Sequence, residues 1–384
     1  MIKRLEDSTG SRMVVYFVGD RPIVGGVIAD DAVRYMYDHI RSIREFPGPE
    51  QKLTLYLYSC GGSMEVPWKI VTMFRAHSRE FDVMVPYKAY SAATMISLGA
   101  DKIWMSKKAE LGPIDPSLYP MANAGQPDKP GPFAFGELGT EDVSAYLRFL
   151  RDRAGLTDQD AIACMVQTLA QNITPVLLGK VERIYSHIRL VANKLLSEHQ
   201  PPLDHQQIQR IIEALTEKSY VHGHSIGRKE AKEIGLDVAD MNEEMEETAW
   251  SLYREYEDLL KLQGSADPQA FFTDDGPDLH CEEDAIVACI ESRDKLHVFG
   301  GKLRIQRTRK VPPQPNINVN LGVTLPPTID VAQIPDAVRD AVQQVIGQAA
   351  QQLRQLVQEE LRRQSPVEGI SRNLAGGAWR EVRG

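Results

Sequence analysis

Tyr90-Ser91-Ala92-Ala93-Thr94-Met95 sets a single serine between two kinds of pattern. Before it, residues 81–86 read as a short buried strand. After it, Met95, Ile96, Leu98, Gly99 and Ala100 read as the start of a buried helix. Residues 101–105 give another short strand, followed by Leu111-Gly112-Pro113-Ile114-Asp115-Pro116. Upstream, the apolar strand 53–58 runs straight into Ser59-Cys60-Gly61-Gly62-Ser63. A serine at a strand-to-helix junction is held at a helix N-terminus, where backbone N–H groups favour developing negative charge. Two glycines after a neighbouring strand let bare backbone approach a ligand closely, as an oxyanion hole requires.

Outward from this centre, the first 115 residues or so alternate strand and helix. Residues 13–18 read as a strand and 29–46 as a helix with Val33, Met36, Ile40 and Ile43 on its apolar face. A helix over 64–78 follows the 53–58 strand. Short buried strands alternating with helices predict an α/β fold with a largely parallel sheet, whose sites form at the carboxyl ends of strands. Residues 117–135 are rich in Pro, Gly, Asn and Ala and read as a long loop. Helices are expected over 140–154, 158–172, 175–199 and 204–218. The segment 228–236 reads as a glycine-capped helix before a last strand near 237–238, and 241–262 as a charged surface helix. Character changes after Gly264: an acidic stretch, a small helix over 285–294, and a basic run from Lys302 to Lys310. A Pro/Asn segment (312–327) then leads to a helix over 334–361, which carries apolar residues at spacings of three and four. The expected domains are 1–264 (insertion about 117–172), a small α/β appendage 265–311, a Pro-rich linker 312–328 and an interaction tail 329–384.

The chain has 384 residues, 42% apolar and 25% charged, with a net charge of -9. The acidic balance argues against general nucleic-acid binding. Four cysteines without a CxxC pair or zinc spacing point to a reducing compartment and no structural metal. No signal-peptide core and no apolar run of about 18–20 residues is present, so a cytoplasmic protein is expected, with no membrane partner.

The order strand, Gly-Gly, helix, strand, serine-headed helix, strand resembles the superfamily of Clp protease proteolytic subunits and crotonases. So does the later Ala231-Lys232-Glu233-Ile234-Gly235-Leu236-Asp237-Val238. In its peptidases a Ser-Pro-Gly-Gly segment carries the oxyanion N–H groups, and a serine one strand later is the nucleophile. Within it, residues 86–116 are most similar to the serine-dehydrogenase-degrading proteinases, relatives of signal peptide peptidase A. Their Ser-Ala-Ala/Gly-Thr and Leu-Gly-Pro-Ile-Asp-Pro segments appear here as Ser91 to Thr94 and Leu111 to Pro116. The resemblance covers about residues 12–240. It implies a Clp protease/crotonase-like spiral of ββα units with a helical insertion; the C-terminal tail, which it does not cover, reads as mainly helical. It further implies a peptide or protein substrate, a homo-oligomer and no cofactor.

Two departures stand out. Cys60 replaces the proline before Gly-Gly, and no histidine lies between His77 and His187, so the Clp-type base is missing. That leaves a serine–lysine dyad, in which a desolvated lysine serves as general base. Lys180 is the first candidate because it opens the helix after the insertion; Lys88, Lys107, Lys108 and Lys129 stay open. The expected site is Ser91 as nucleophile, Gly61 and Gly62 as oxyanion hole, and Asp115 and Ala92 as substrate-orienting residues.

Each residue also has a plain structural reading. Ser91 can be a helix N-cap, Gly61-Gly62 a tight turn, and Asp115 a turn residue before Pro116. His222 and His224 read as packing residues of a loop, Cys60 as a small buried residue and 302–310 as a solvated strand edge. The 334–361 helix either packs on its own domain or self-associates. Two other functions use the same fold: a non-catalytic oligomeric scaffold acting through its tail with a protein partner, and a crotonase-type acyl-CoA enzyme.

Overall fold

A computed structural model describes residues 1–43, 52–114, 117–118, 138–139, 145–172, 175–216, 224–273, 276–310, 324 and 334–382. The chain begins α1 (Ile2–Thr9), β1 (Arg12–Val18), α2 (Asp31–Ser42), β2 (Lys52–Tyr58), α3 (Val66–Ala76) and β3 (Glu80–Val85). Next come β4 (Lys88–Ala89), α4 (Ala92–Leu98), β5 (Lys102–Met105) and β6 (Glu110–Leu111). The two-residue strands β7 (Ser117–Leu118) and β8 (Leu138–Gly139) pair with each other. The helical stretch then holds α5 (Gln159–Asn172), α6 (Pro175–Ser197) and α7 (His205–Thr216). It leads to β9 (Ile226–Gly227), α8 (Arg228–Ile234), β10 (Val238–Asp240) and α9 (Glu243–Leu259). The chain closes with β11 (Leu279–Ser292), β12 (Lys295–Arg309), α10 (Asp336–Gln364) and β13 (Val367–Val382).

The main sheet has the strand order β10-β5-β3-β2-β1-β11-β12-β13. From β10 to β1 every neighbouring pair is parallel, and β11 is antiparallel to β1. A smaller sheet, β4-β6-β9, collects the short strands that leave the carboxyl ends of the large one. This is the ClpP-like α/β architecture. Helices cover both faces of the parallel part, which is why its strands read as unbroken apolar runs. In β1, Val14, Tyr16 and Val18 enter one core, and Met13, Val15 and Phe17 enter the other. The first core takes in α2, α3, α4, α6 and α7; the second takes in α1 and α9. Each such side chain taken from water contributes about 1.5–3 kcal/mol.

Two compact units emerge. The first comprises Met1–Gly264, Ala285–Gly301 and the last strand from Gly376; the second comprises Ser265–Asp284 and Lys302–Ala375. Four expectations are corrected here. Residues 285–294 are not a helix: they belong to β11, and Arg293-Asp294 turns the chain into β12. The apolar run Ala285 to Ile290 is too short for periodicity to separate strand from helix, and pairing with β1 decides it. The tail is therefore not mainly helical, since three long strands accompany α10. Nor does α9 lie on the surface. Its many carboxylates face water, but Met245, Ala249, Leu252, Tyr253 and Tyr256 are buried in the second core. Within the second unit the basic run is not a solvated edge either. Arg307 is buried and Arg309 half-buried, and both reach Asp278 Oδ1, at 3.0 and 2.9 Å, while Arg304 and Lys310 stay exposed. The Pro/Asn segment 312–327 lies outside the described residues except for position 324.

Candidate active site

β2 ends at Tyr58, and the next four residues build one wall of the site. Ser59 donates its N–H to Lys88 O (3.1 Å), and Tyr90 donates its N–H to Ser59 O (3.0 Å), tying this turn to β4. The chain then turns at Gly61 (φ +114) and Gly62 (φ +154), a left-handed region that glycine tolerates. Space makes the same demand. A Cβ on Gly61 would lie 2.9 Å from Ser91 Cβ, and one on Gly62 would lie 2.3 Å from Ile28 O. Gly61 O accepts from Ile28 N, and Ser63 N donates to Ile28 O, each at 2.8 Å, so the turn is pinned on its outer side as well.

The two glycine N–H groups have different fates. Gly61 N–H donates to the buried Ser59 Oγ at 2.9 Å. The Gly62 N–H has no acceptor among the described residues. On the other side of the Ser91 turn Ala92 is the first residue of α4, and a helix's first N–H has no acceptor within the helix.

Ser91 itself is bent. Its φ of 52° and ψ of -111° lie outside the regions an L-residue prefers, a conformation that costs about 1–3 kcal/mol and tends to mark functional turns. Its side chain is no helix cap, for it makes no cap hydrogen bond; Oγ has Met64 Sδ as its partner, at 3.6 Å. Thr94 fixes the turn from below. Its hydroxyl lies 2.7 Å from Ala89 O and 2.8 Å from Gly112 O, so one side chain joins the Ser91 segment to the Leu111-Gly112 segment. Gly112 is needed there, since a Cβ would come 2.8 Å from the Tyr90 ring. The two motif segments of the sequence are thus halves of a single packed turn.

The candidate lysines separate. Lys88 pairs with Asp20 Oδ2 at 2.9 Å. Desolvation pulls its pKa down, but the hydrogen bond and charge of Asp20 outweigh this, and the ammonium is held above the usual lysine range. That is the wrong direction for a base. Lys107 pairs with Glu246, and Lys108 lies over the Tyr87 ring. Lys180 is exposed on α6 and has no hydrogen bond to Ser91. Lys129, Asp115 and His222 lie outside the described residues. His224 Nε2 reaches Glu230 Oε1 at 2.9 Å on the surface.

Beside the glycine turn stands a polar cluster that sequence reasoning missed. Asp20 takes hydrogen bonds from Tyr58 OH (2.7 Å), Lys88 Nζ (2.9 Å) and Cys60 Sγ (3.5 Å). Burial favours the protonated carboxyl, but these donors prevail and hold it below the ordinary range. Cys60 is an exposed residue, not the small buried one expected; desolvation of its sulfur and the Asp20 charge push the thiol up to about 12. No motif announced Asp20, because its partners come from the end of β2 and from β4, far from it in sequence.

Residues 21–126 match the model of one family. It is the family of ClpP-like SDH-type serine proteinases. That stretch contains Gly61, Gly62, Ser91 and the Leu111-Gly112 turn. Two uncharacterized proteins of Methanocaldococcus jannaschii are similar at greater length. One is 28% identical over 230 residues, covering 59% of this chain and 66% of that protein. The other is 28% identical over 132 residues, covering 32% and 43%. The chain thus spans less than two thirds of either relative. Among solved structures, a mutant of the 1510-N membrane-bound stomatin-specific protease is similar over 54% of this chain and 72% of its own. Its identity is 14% and its TM-score 0.33. The family match supports a peptidase of the ClpP-like fold.

Proposed function

We propose that the chain is a serine peptidase that cleaves peptide bonds with Ser91 as nucleophile. The observation that carries the reading is the pair of N–H groups, on Gly62 and Ala92, for which no acceptor is found among the described residues, beside a strained serine against which only a glycine fits. Attack by Oγ on a scissile carbonyl moves negative charge onto the carbonyl oxygen. Two N–H donors aimed at that oxygen stabilise it without reorganisation, and one such donor is typically worth about 10²–10³ in rate. In this scheme Gly61 supplies room for Ser91 while its own N–H stays with Ser59. The substrate backbone would lie in the cleft that β2 and β4 border, with Asp115 as a further orienting group.

A lysine takes the serine proton in the proposed chemistry and returns it to the leaving amine. Among the described candidates Lys88 and Lys107 are engaged by Asp20 and Glu246, which leaves Lys180 and Lys108, with Lys129 outside the described residues. The test is hydrolysis of an unfolded protein or a peptide library by the wild type, Ser91→Ala, Lys180→Ala and Lys129→Ala. Loss in Ser91→Ala and in one lysine variant supports the dyad. Activity that survives Ser91→Ala removes the proposal. The absence of any base against Ser91 among the described residues favours a second reading, a non-catalytic scaffold on the same fold. In that case every variant would be as inert as the wild type.

A further inference from the structure

The small sheet beside Ser91 holds a carboxylate that no cation neutralises. Lys88 of β4, Glu110 of β6 and Gly227 of β9 stand in one row of its register, and residues paired in this way share a face of the sheet. Lys88 is the natural counter-ion for Glu110 in this row, yet its ammonium is taken by Asp20 at 2.9 Å. Glu110 Oε1 accepts from Tyr90 OH at 2.8 Å, and among the described residues no cation pairs with this half-buried carboxylate. Tyr90 is the residue that immediately precedes the nucleophile.

On its other side Glu110 has a neighbour without a side chain. A Cβ on Gly227 would meet no described atom within 4 Å, and its φ of -74° and ψ of 170° suit any residue. Neither space nor backbone therefore demands glycine here. What the glycine provides is room on the face next to Glu110. The half-exposed Tyr90 borders this face, and the exposed Ser225 sets its Oγ 3.5 Å from Tyr90 OH.

We propose that this face is a substrate subsite for a basic side chain, with Glu110 as the specificity-determining residue. The stem of a lysine or arginine lies along Tyr90, its cation meets the Glu110 carboxylate, and the Ser225 hydroxyl accepts a further N–H. The net charge of -9 favours the approach of basic polypeptides. The inference rests on Ser91 as the nucleophile, because Tyr90 then places the subsite next to the scissile bond.

The test uses the full chain and unstructured peptides that differ in one central residue: lysine, leucine or glutamate. Ser91→Ala reads binding by fluorescence anisotropy, and the wild type reads kcat/KM. Both should prefer the lysine peptide over the glutamate peptide about 10- to 100-fold. Glu110→Gln keeps an acceptor for Tyr90 OH but withdraws the charge, and should bring this ratio close to one. Gly227→Leu should fold, since space and backbone allow it, and should abolish the preference by filling the subsite. Equal retention of the peptides by Ser91→Ala, or a preference that survives Glu110→Gln or Gly227→Leu, would overturn the proposal. A binding preference in Ser91→Ala with no hydrolysis by the wild type keeps the subsite and removes the peptidase reading. Equal hydrolysis of all three peptides does the reverse.

Discussion

Replacing Gly61 with alanine tests the geometry of the serine turn with a single methyl group. The new Cβ would stand 2.9 Å from Ser91 Cβ and 3.1 Å from Tyr90 O. Carbon atoms rest at about 3.5–4.0 Å, so roughly 0.6–1 Å of overlap must be relieved. Gly61 is pinned through its N–H to Ser59 Oγ and through its carbonyl to Ile28. The movement therefore falls on Ser91, already at a φ of 52°. A misplacement of about 1 Å in a reacting group costs about 10²-fold in rate. A non-glycine at φ +114 adds strain of about 1–3 kcal/mol. Peptide hydrolysis should thus fall about 100-fold while urea unfolding shows a folded but weakened protein. Gly62→Ala supplies the contrast, since its Cβ would meet Ile28 backbone atoms at 2.3 and 2.4 Å, which no rotamer change relieves. It should fail to fold or lose several kcal/mol. Wild-type stability and rate in Gly61→Ala would refute the packing argument, as would a Gly62→Ala protein more stable than Gly61→Ala.

Other outcomes follow from the same contacts. Asp101 accepts from Phe81 N (2.9 Å) and Gln200 N (2.8 Å) and pairs with the largely buried Arg75 at 2.9 Å, so Asp101→Ala should cost about 3–5 kcal/mol in urea unfolding. Thr94→Val keeps the shape but withdraws the hydroxyl that joins the Ala89 and Gly112 carbonyls. A loss of about 1–3 kcal/mol and a slower peptidase are expected, the first by denaturation and the second by initial rates. His39 is fully buried between Ser292 Oγ and His297 Nδ1; burial first, and then the His297 neighbour, pull its pKa to about 3. An unfolded histidine titrates near 6.5, so between pH 6.5 and 3 the unfolded state binds the extra proton. Stability should then fall as pH drops, by up to about 1.4 kcal/mol per unit below pH 6. Urea midpoints at pH 7 and pH 5 check this against His39→Gln, in which that part of the slope should vanish.

Much of the first unit was legible because a parallel sheet covered on both faces leaves unbroken apolar runs. Residues 53–58 and 81–86 could be little else. Ser91 stood out for the same reason, as a polar residue at the end of such a run. α1 went unread, because eight residues with only Ile2 and Leu5 as apolar positions are too short a helix to stand alone, and packing on α9 keeps it. The charge count of 241–262 hid its apolar face, since four carboxylates in the helix's first eight positions concern only its water side. β11 was mistaken for a helix because Ala-Ile-Val-Ala-Cys-Ile fits either period until β1 is present to pair with it. In the site, sequence could place Gly61 and Gly62 side by side but not tell their N–H groups apart. That distinction comes from Ser59 Oγ, a side chain whose reach depends on the turn being folded.

The most direct test of the account is the structure of the protein after reaction with a fluorophosphonate. The account predicts a covalent bond to Ser91 Oγ, with the phosphonyl oxygen about 2.7–3.1 Å from the Gly62 and Ala92 nitrogens and the Gly61 N–H still on Ser59. An adduct on another residue, an oxygen turned away from both nitrogens, or no adduct in a protein whose site is open to solvent would contradict it.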